Sequence, residues 1–178
     1  MTENEKEQKS NQKPKKKKSA LHFAIEFFVK IAVTAAVVAV LVIFVVGIYI
    51  NHSDSSYPMI KDGDLCITYK LGTILRDDEI AYQKDGKIRF GRVVGMPGDV
   101  VEITEENLTV NGYGVYENAV YPTTAEGAKI EFPYTVPADS YFVLNDYRSD
   151  ATDSRMYGGI PKSETKGKIF LLLRRRGF

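Results

Sequence analysis

"EIAYQKDGKIRFGRVVGMPGD", residues 79–99, reads as a β-hairpin followed by a second tight turn. The runs "EIAYQK" and "KIRFGRVVG" are rich in β-branched and aromatic residues, and "KDGK" lies between them. Asp-Gly between two such runs is the strongest short-range hairpin signal, because both central residues of the favoured turn need positive φ. "MPGD" then turns the chain again. Gly91 stands inside the second run, where a missing side chain costs packing and backbone entropy. Something other than strand propensity accounts for it.

Outward from the hairpin the same grammar continues. "DLCITYK" precedes it, and "VVEIT", "LTVNG", "KIEFPYTV", "SYFVLND" and "KIFLLLRRR" follow, separated by "KDGD", "VNGYG" and "YGGIPK". Short strands with turn signals between them, and no helical periodicity, imply a mainly β domain built on antiparallel pairing. No internal repeat is visible.

Upstream the composition changes twice. From Ile31 to Ile50 twenty consecutive residues carry no charge, and most are apolar. At about 1.5 Å per residue such a helix crosses the roughly 30 Å of a bilayer's hydrocarbon. A signal peptide has a shorter apolar run and a small-residue cleavage site after it, whereas "NHSDSSYP" follows here. The stretch is therefore expected to be an uncleaved anchor. Before it, "MTENEKEQKSNQKPKKKKSA" lacks apolar periodicity and holds a block of lysines at Lys13 and Lys15 to Lys18. That composition reads as a solvated, disordered tail. Lysines precede the span and the first basic residue after it is Lys61. The positive-inside rule then puts the amino terminus in the cytoplasm and the body outside the plasma membrane. The expected division is a basic tail at 1–20, an anchor at 21–50 and an extracytoplasmic β domain at 51–178.

Charge and composition narrow the chemistry further. The net charge is only +1, with 8 basic and 4 acidic residues in 1–50 against 16 and 19 in 51–178. The body thus offers no basic surface for nucleic acid. The single cysteine, Cys66 in "DLCITY", excludes an intrachain disulfide and reads as a small core residue. No His, Cys or carboxylate cluster has metal-ligand spacing, and no glycine-rich loop opens a helix, so neither metal nor cofactor is expected. His22 and His52 are the only histidines. His52 lies three residues before Ser55, which makes a poor Ser-His-Asp arrangement in an extended segment.

Three segments stand out together: "SDSSYPMIKDGD" at 53–64, "GRVVGMPGDVV" at 91–101 and "VLNDYRSDATDSRMYGGIP" at 143–161. In this order, behind an anchor, they resemble the type I signal peptidases, which are membrane-tethered endopeptidases using a serine and a lysine. The family pattern S-M-x-P-T-L-x-x-G-D finds Ser55, Pro58, Gly63 and Asp64. K-R-V-x-G-x-P-G-D finds Arg92, Val93, Gly95, Pro97, Gly98 and Asp99. G-D-N-R-x-x-S-x-D-S-R finds Asp146, Arg148, Asp153, Ser154 and Arg155.

The resemblance implies a β domain of the signal peptidase type. It places the nucleophile at Ser55 and oxyanion-stabilising groups at Ser53 and Ser55. It also places the general-base lysine at Gly91 and the serine that contacts that lysine at Ala151. Both of those last two side chains are absent. Arginine does not deprotonate in a protein, so Arg89 and Arg92 offer no replacement. Lys87 shares the Gly91 face of an ideal strand, but about 13 Å away. An unactivated serine is a weak nucleophile. Signal-peptidase-like members without the lysine occur beside sortase-assembled pili of Gram-positive bacteria. This chain is similar to them in size and single anchor, although it keeps a serine at 55. Three readings follow: an impaired signal-peptidase-like protein binding exported preproteins or pilins as an assembly factor, an active peptidase using His52 or a displaced lysine, and a membrane-anchored structural module. Asp153 with Arg155 reads as a structural pair, and the terminal arginines 174–176 as a basic strand end near the headgroups.

Overall fold

A computed structural model describes residues 20–104, 107–115 and 122–174. The lysine block, Arg175 and Arg176 lie outside the described residues. The chain divides into two units, residues 1–40 and 41–178. The first contains most of helix α1, Ala20–Phe44, which has a mean hydropathy of 2.7 over its most apolar window and no buried residue. Its 25 residues extend about 37 Å, long enough to cross a bilayer. It is a candidate membrane span.

The helix ends earlier than the apolar run. Residues 46–50, expected to belong to the anchor, form strand β1 (Val46–Ile50) instead. β1 pairs antiparallel with β2 (Leu65–Tyr69), from Val46 against Tyr69 to Ile50 against Leu65. An apolar run does not distinguish helix from buried strand. Here Val46, Ile48, Tyr49 and Ile50 have the β-branched and aromatic shapes that suit a pleated surface, and β2 supplies the partner.

The hairpin forms as the sequence implies. β3 (Glu79–Lys84) and β4 (Lys87–Gly95) pair throughout, Glu79 opposite Arg92 and Lys84 opposite Lys87. Asp85 and Gly86 make the turn with φ of 51° and 74°. β5 (Val100–Ile103), β6 (Leu108–Val110), β7 (Tyr113–Gly114) and β8 (Tyr134–Thr135) form a small sheet in the order β7-β6-β5-β8. Of the expected strand "KIEFPYTV" only Tyr134 and Thr135 pair. β9 (Ser140–Leu144), a one-turn helix α2 (Ser154–Tyr157), β10 (Ile160–Pro161) and β11 (Thr165–Leu173) complete the chain. The large sheet runs β1-β2-β11-β3-β4-β9-β10, so the last strand inserts between β2 and β3.

Val101, Leu108 and Val110 of the small sheet pack with Val94, Phe142 and Leu144 of the large one. A second cluster joins Ile80, Tyr82, Val93, Val143 and Ile160. A third holds Ile60, Cys66, Ala81 and Phe90. Cys66 is fully buried, and burial pushes its thiol up to about 12, with Asp64 and Glu79 adding to the effect. It is an inert core residue.

The insertion of β11 depends on a bulge between Thr165 and Gly167. Gly167 has φ of 105°, and a Cβ there would lie 2.5 Å from the Tyr69 carbonyl oxygen. Neither the dihedral nor the space admits a side chain. Gly167→Ala is expected to lower the urea midpoint by more than the equivalent of about 1 kcal/mol; an unchanged midpoint contradicts the tight β2–β11 approach.

Candidate active site

Three turns bring the motif residues to the large sheet. In the first, Asn51 closes the segment after β1. Its N–H donates to the Asp64 carbonyl and its own carbonyl accepts from Gly63 N–H, at 2.9 and 2.8 Å. Gly63 has φ of 83°, and the buried Asp64 carboxylate accepts from the Lys61 N–H at 2.9 Å. Pro58 lies within the turn, after a cis peptide bond with Tyr57. Ser55 is held by two backbone contacts: its carbonyl accepts from Tyr147 N–H at 2.9 Å, and its N–H donates to Ser53 Oγ at 3.1 Å. Among the described residues no side chain hydrogen-bonds the Ser55 hydroxyl.

The second turn, Pro97-Gly98-Asp99, is fastened by Asp99. Its carboxylate accepts from Met96 N–H at 2.7 Å, from Arg76 at 2.8 Å and from Asn111 at 2.8 Å. These contacts are structural.

The third turn, residues 145–153, carries the densest polar network. Asp153 and Arg155 are 0 % and 1 % exposed. Arg155 Nε and Nη2 donate to the two Asp153 oxygens at 3.0 and 2.7 Å. Asp153 also accepts from Asn145 N–H and Arg155 N–H, both at 2.9 Å. The guanidinium donates further to the carbonyls of Arg148, Asp150 and Thr124. Such a pair tolerates burial because its remaining donors and acceptors are satisfied. Arg148, also buried, donates to the Asn145 carbonyl. Ser154 Oγ accepts from Val143 N–H at 2.8 Å, fixing β9 against α2.

Beside this network sits a second ionic cluster. Arg92 makes a bidentate contact with Asp146 at 2.8 and 2.7 Å and donates to the Asp77 carbonyl. Its Nη2 lies 3.4 Å from the buried Glu79 carboxylate. Burial first, and the Asp146 charge second, push the Glu79 carboxyl up to about 8, against Arg92, the Ser56 hydroxyl and Arg148. Glu79 opens a run of four buried residues in β3, and no local sequence signal marks it as a buried carboxyl.

Gly91 does not border an empty slot. A Cβ at 91 would lie 2.7 Å from Val143 Cγ1 and 3.0 Å from the Leu144 carbonyl oxygen. The second is backbone, and the first is a β-branched side chain in the fully buried core, so neither yields easily. Ala151 is half-buried. Its neighbour Thr152 meets Arg89, whose Nη1 lies 3.5 Å from Thr152 Oγ1.

Ser55 borders a cleft of about 770 Å³, lined also by residues 48–53 and 87–89. Lys87 thus faces the serine's cleft, which strand spacing measured from Gly91 did not reveal. β1 pairs only with β2 along its length, and Lys87–Phe90 pairs only with β3, so both cleft walls keep an open backbone edge among the described residues. Among the described residues no three of His, Cys, Asp and Glu gather as a metal site.

This arrangement has relatives. The family model "Signal peptidase, peptidase S26" matches residues 24–173. The chain belongs to the signal peptidase family. A signal peptidase I of Bacillus caldolyticus is 31% identical over 143 residues, covering 71% of this chain and 79% of its own. A probable signal peptidase I-2 of Synechocystis is 30% identical over 131 residues, covering 67% of this chain. The match spans 59% of that relative's length. A signal peptidase I crystal structure from Enterococcus faecalis aligns with 56% of this chain and 98% of that one, at 27% identity and a TM-score of 0.48.

Glu79 makes stability depend on pH with a definite sign. The folded chain keeps a proton up to about pH 8 that the unfolded chain releases near about pH 4.3. This contribution is full below the lower value and is lost as pH rises to the upper one. Thermal unfolding from pH 5 to 8.5 should show wild type losing ground steadily to Glu79→Gln. A constant gap across that range contradicts a proton on Glu79.

Proposed function

We propose that the protein is a catalytically impaired signal-peptidase-like factor that binds extended segments of exported preproteins or pilins and assists their assembly. The observation that carries this reading is the packing at Gly91. The resemblance assigns the general base to that position, and Val143 and the Leu144 carbonyl occupy the space its Cβ needs. A base must come within about 3 Å of the hydroxyl it deprotonates, and no side chain among the described residues holds Ser55 Oγ. The Ser55 N–H, a natural oxyanion donor, is engaged by Ser53 Oγ. The cleft with its two open strand edges retains what strand addition needs.

In this reading α1 anchors the protein in the plasma membrane with the lysine-rich terminus in the cytoplasm. The 51–178 domain then works outside, against the membrane surface where exported segments emerge.

One observation favours a second reading, an active peptidase: Lys87 and His52 both line the cleft that holds Ser55. Lys87 is exposed, however, whereas a lysine base is normally made neutral by desolvation.

Incubating the detergent-solubilised full chain with a preprotein carrying Ala-x-Ala before its cleavage point separates these readings. Retention of the preprotein without cleavage is expected. Cleavage that Ser55→Ala abolishes overturns the impaired reading, and Lys87→Ala and His52→Ala then locate the base. Gly91→Lys with Ala151→Ser is expected to gain no turnover unless Val143 is also reduced to alanine.

A further inference from the structure

We propose that the Ser55 cleft selects extended segments that carry an acidic side chain, which Lys87 and Arg89 receive. This rests on the cleft being a peptide groove.

Lys87 and Arg89 stand two apart on β4 and both line the cleft, whereas among the described residues no Asp or Glu lines it. Among the described residues, five other cations of the domain meet carboxylates, while Lys61, Lys129 and Lys166 are, like Lys87, without an ion pair. Arg76 meets Asp99, Lys84 meets Glu164, Arg92 meets Asp146, Arg155 meets Asp153 and Lys168 meets Asp78. Lys87 has no ion pair among the described residues.

Arg89 is the more telling of the two. It is half-buried, and its Nε is buried with no hydrogen-bond partner. The guanidinium lies 5.6 Å from the centre of the Tyr157 ring, and among the described residues Nη1 has only the long contact with Thr152 Oγ1. A ring near the guanidinium steadies it, and its outer N–H groups can still donate. A buried N–H without an acceptor costs stability, and a carboxylate supplies two oxygens that accept from such an edge. A neutral segment offers that N–H no carboxylate, and a basic one adds repulsion from Lys87.

A lipid phosphate is anionic too. The cleft walls favour a peptide, because they combine open strand edges with Ile48, Ile50 and Ile88. Backbone pairing and apolar side-chain contacts are what an extended chain offers.

The test uses the full chain in zwitterionic micelles and fluorescence anisotropy with labelled peptides built on an Ala-x-Ala core. A single Glu is moved through the flanking positions, each peptide compared with its Gln counterpart. At one position at least, Glu is expected to bind about tenfold tighter than Gln. That preference should shrink as salt rises, and should fall below about twofold in Lys87→Gln/Arg89→Gln. The salt dependence is read on wild type, so it stands even if the double variant folds poorly. Equal binding of Glu and Gln peptides at every position overturns the acid preference and leaves the groove reading intact. No binding by any peptide overturns both. Phosphatidylglycerol vesicles captured through Lys87 and Arg89, with no Glu preference among peptides, assign the cations to lipid and overturn the proposal.

Discussion

The buried Asp153–Arg155 ion pair is the constraint on which the site depends. It joins the amide of Asn145 at the end of β9 to the start of α2, and through the Arg155 guanidinium it gathers three carbonyls. With both residues excluded from water, removing either one strands a buried charge, a change that costs about 3–5 kcal/mol in comparable pairs. Ser154, held between them in sequence, fixes Val143 N–H, and Val143 in turn fills the space beside Gly91. The polar loop thus sets the position of a core side chain, and the core side chain decides what position 91 admits.

The ionic residues and the cleft residues separate cleanly. Arg92 pairs with Asp146 and lies 3.4 Å from the buried Glu79, and Asp153 pairs separately with the buried Arg155. Ser55, His52, Lys87 and Arg89 line the open space. The first group builds a rigid platform and the second faces whatever enters. This separation supports the proposed binding role, in which the cleft receives an extended chain without a placed proton acceptor.

What the sequence reveals here follows the range of the interactions involved. The β3–β4 hairpin is legible because its turn, Asp85-Gly86, and its strands are adjacent in the chain. The family motifs are legible because each is a local turn: Asp64 on Lys61, Asp99 on Met96, Asp153 on Arg155. The end of the helix is not legible, since Val46–Ile50 is as apolar as the span before it, and its strand state depends on β2 lying nearby. The insertion of β11 between β2 and β3, the burial of Glu79 and the filling of the Gly91 site by Val143 are all long-range. Strand spacing sets Lys87 far from position 91, yet Lys87 and Ser55 line one cleft, to which β1 residues contribute and Gly91 does not.

The central claim is that Ser55 lacks the means to become a nucleophile. Intact-mass measurement of the full chain after exposure to a serine-acylating peptide analogue tests it most directly. The account predicts that the analogue occupies the cleft and that the protein mass stays unchanged. A stoichiometric adduct mapped to Ser55, absent in Ser55→Ala, would contradict it.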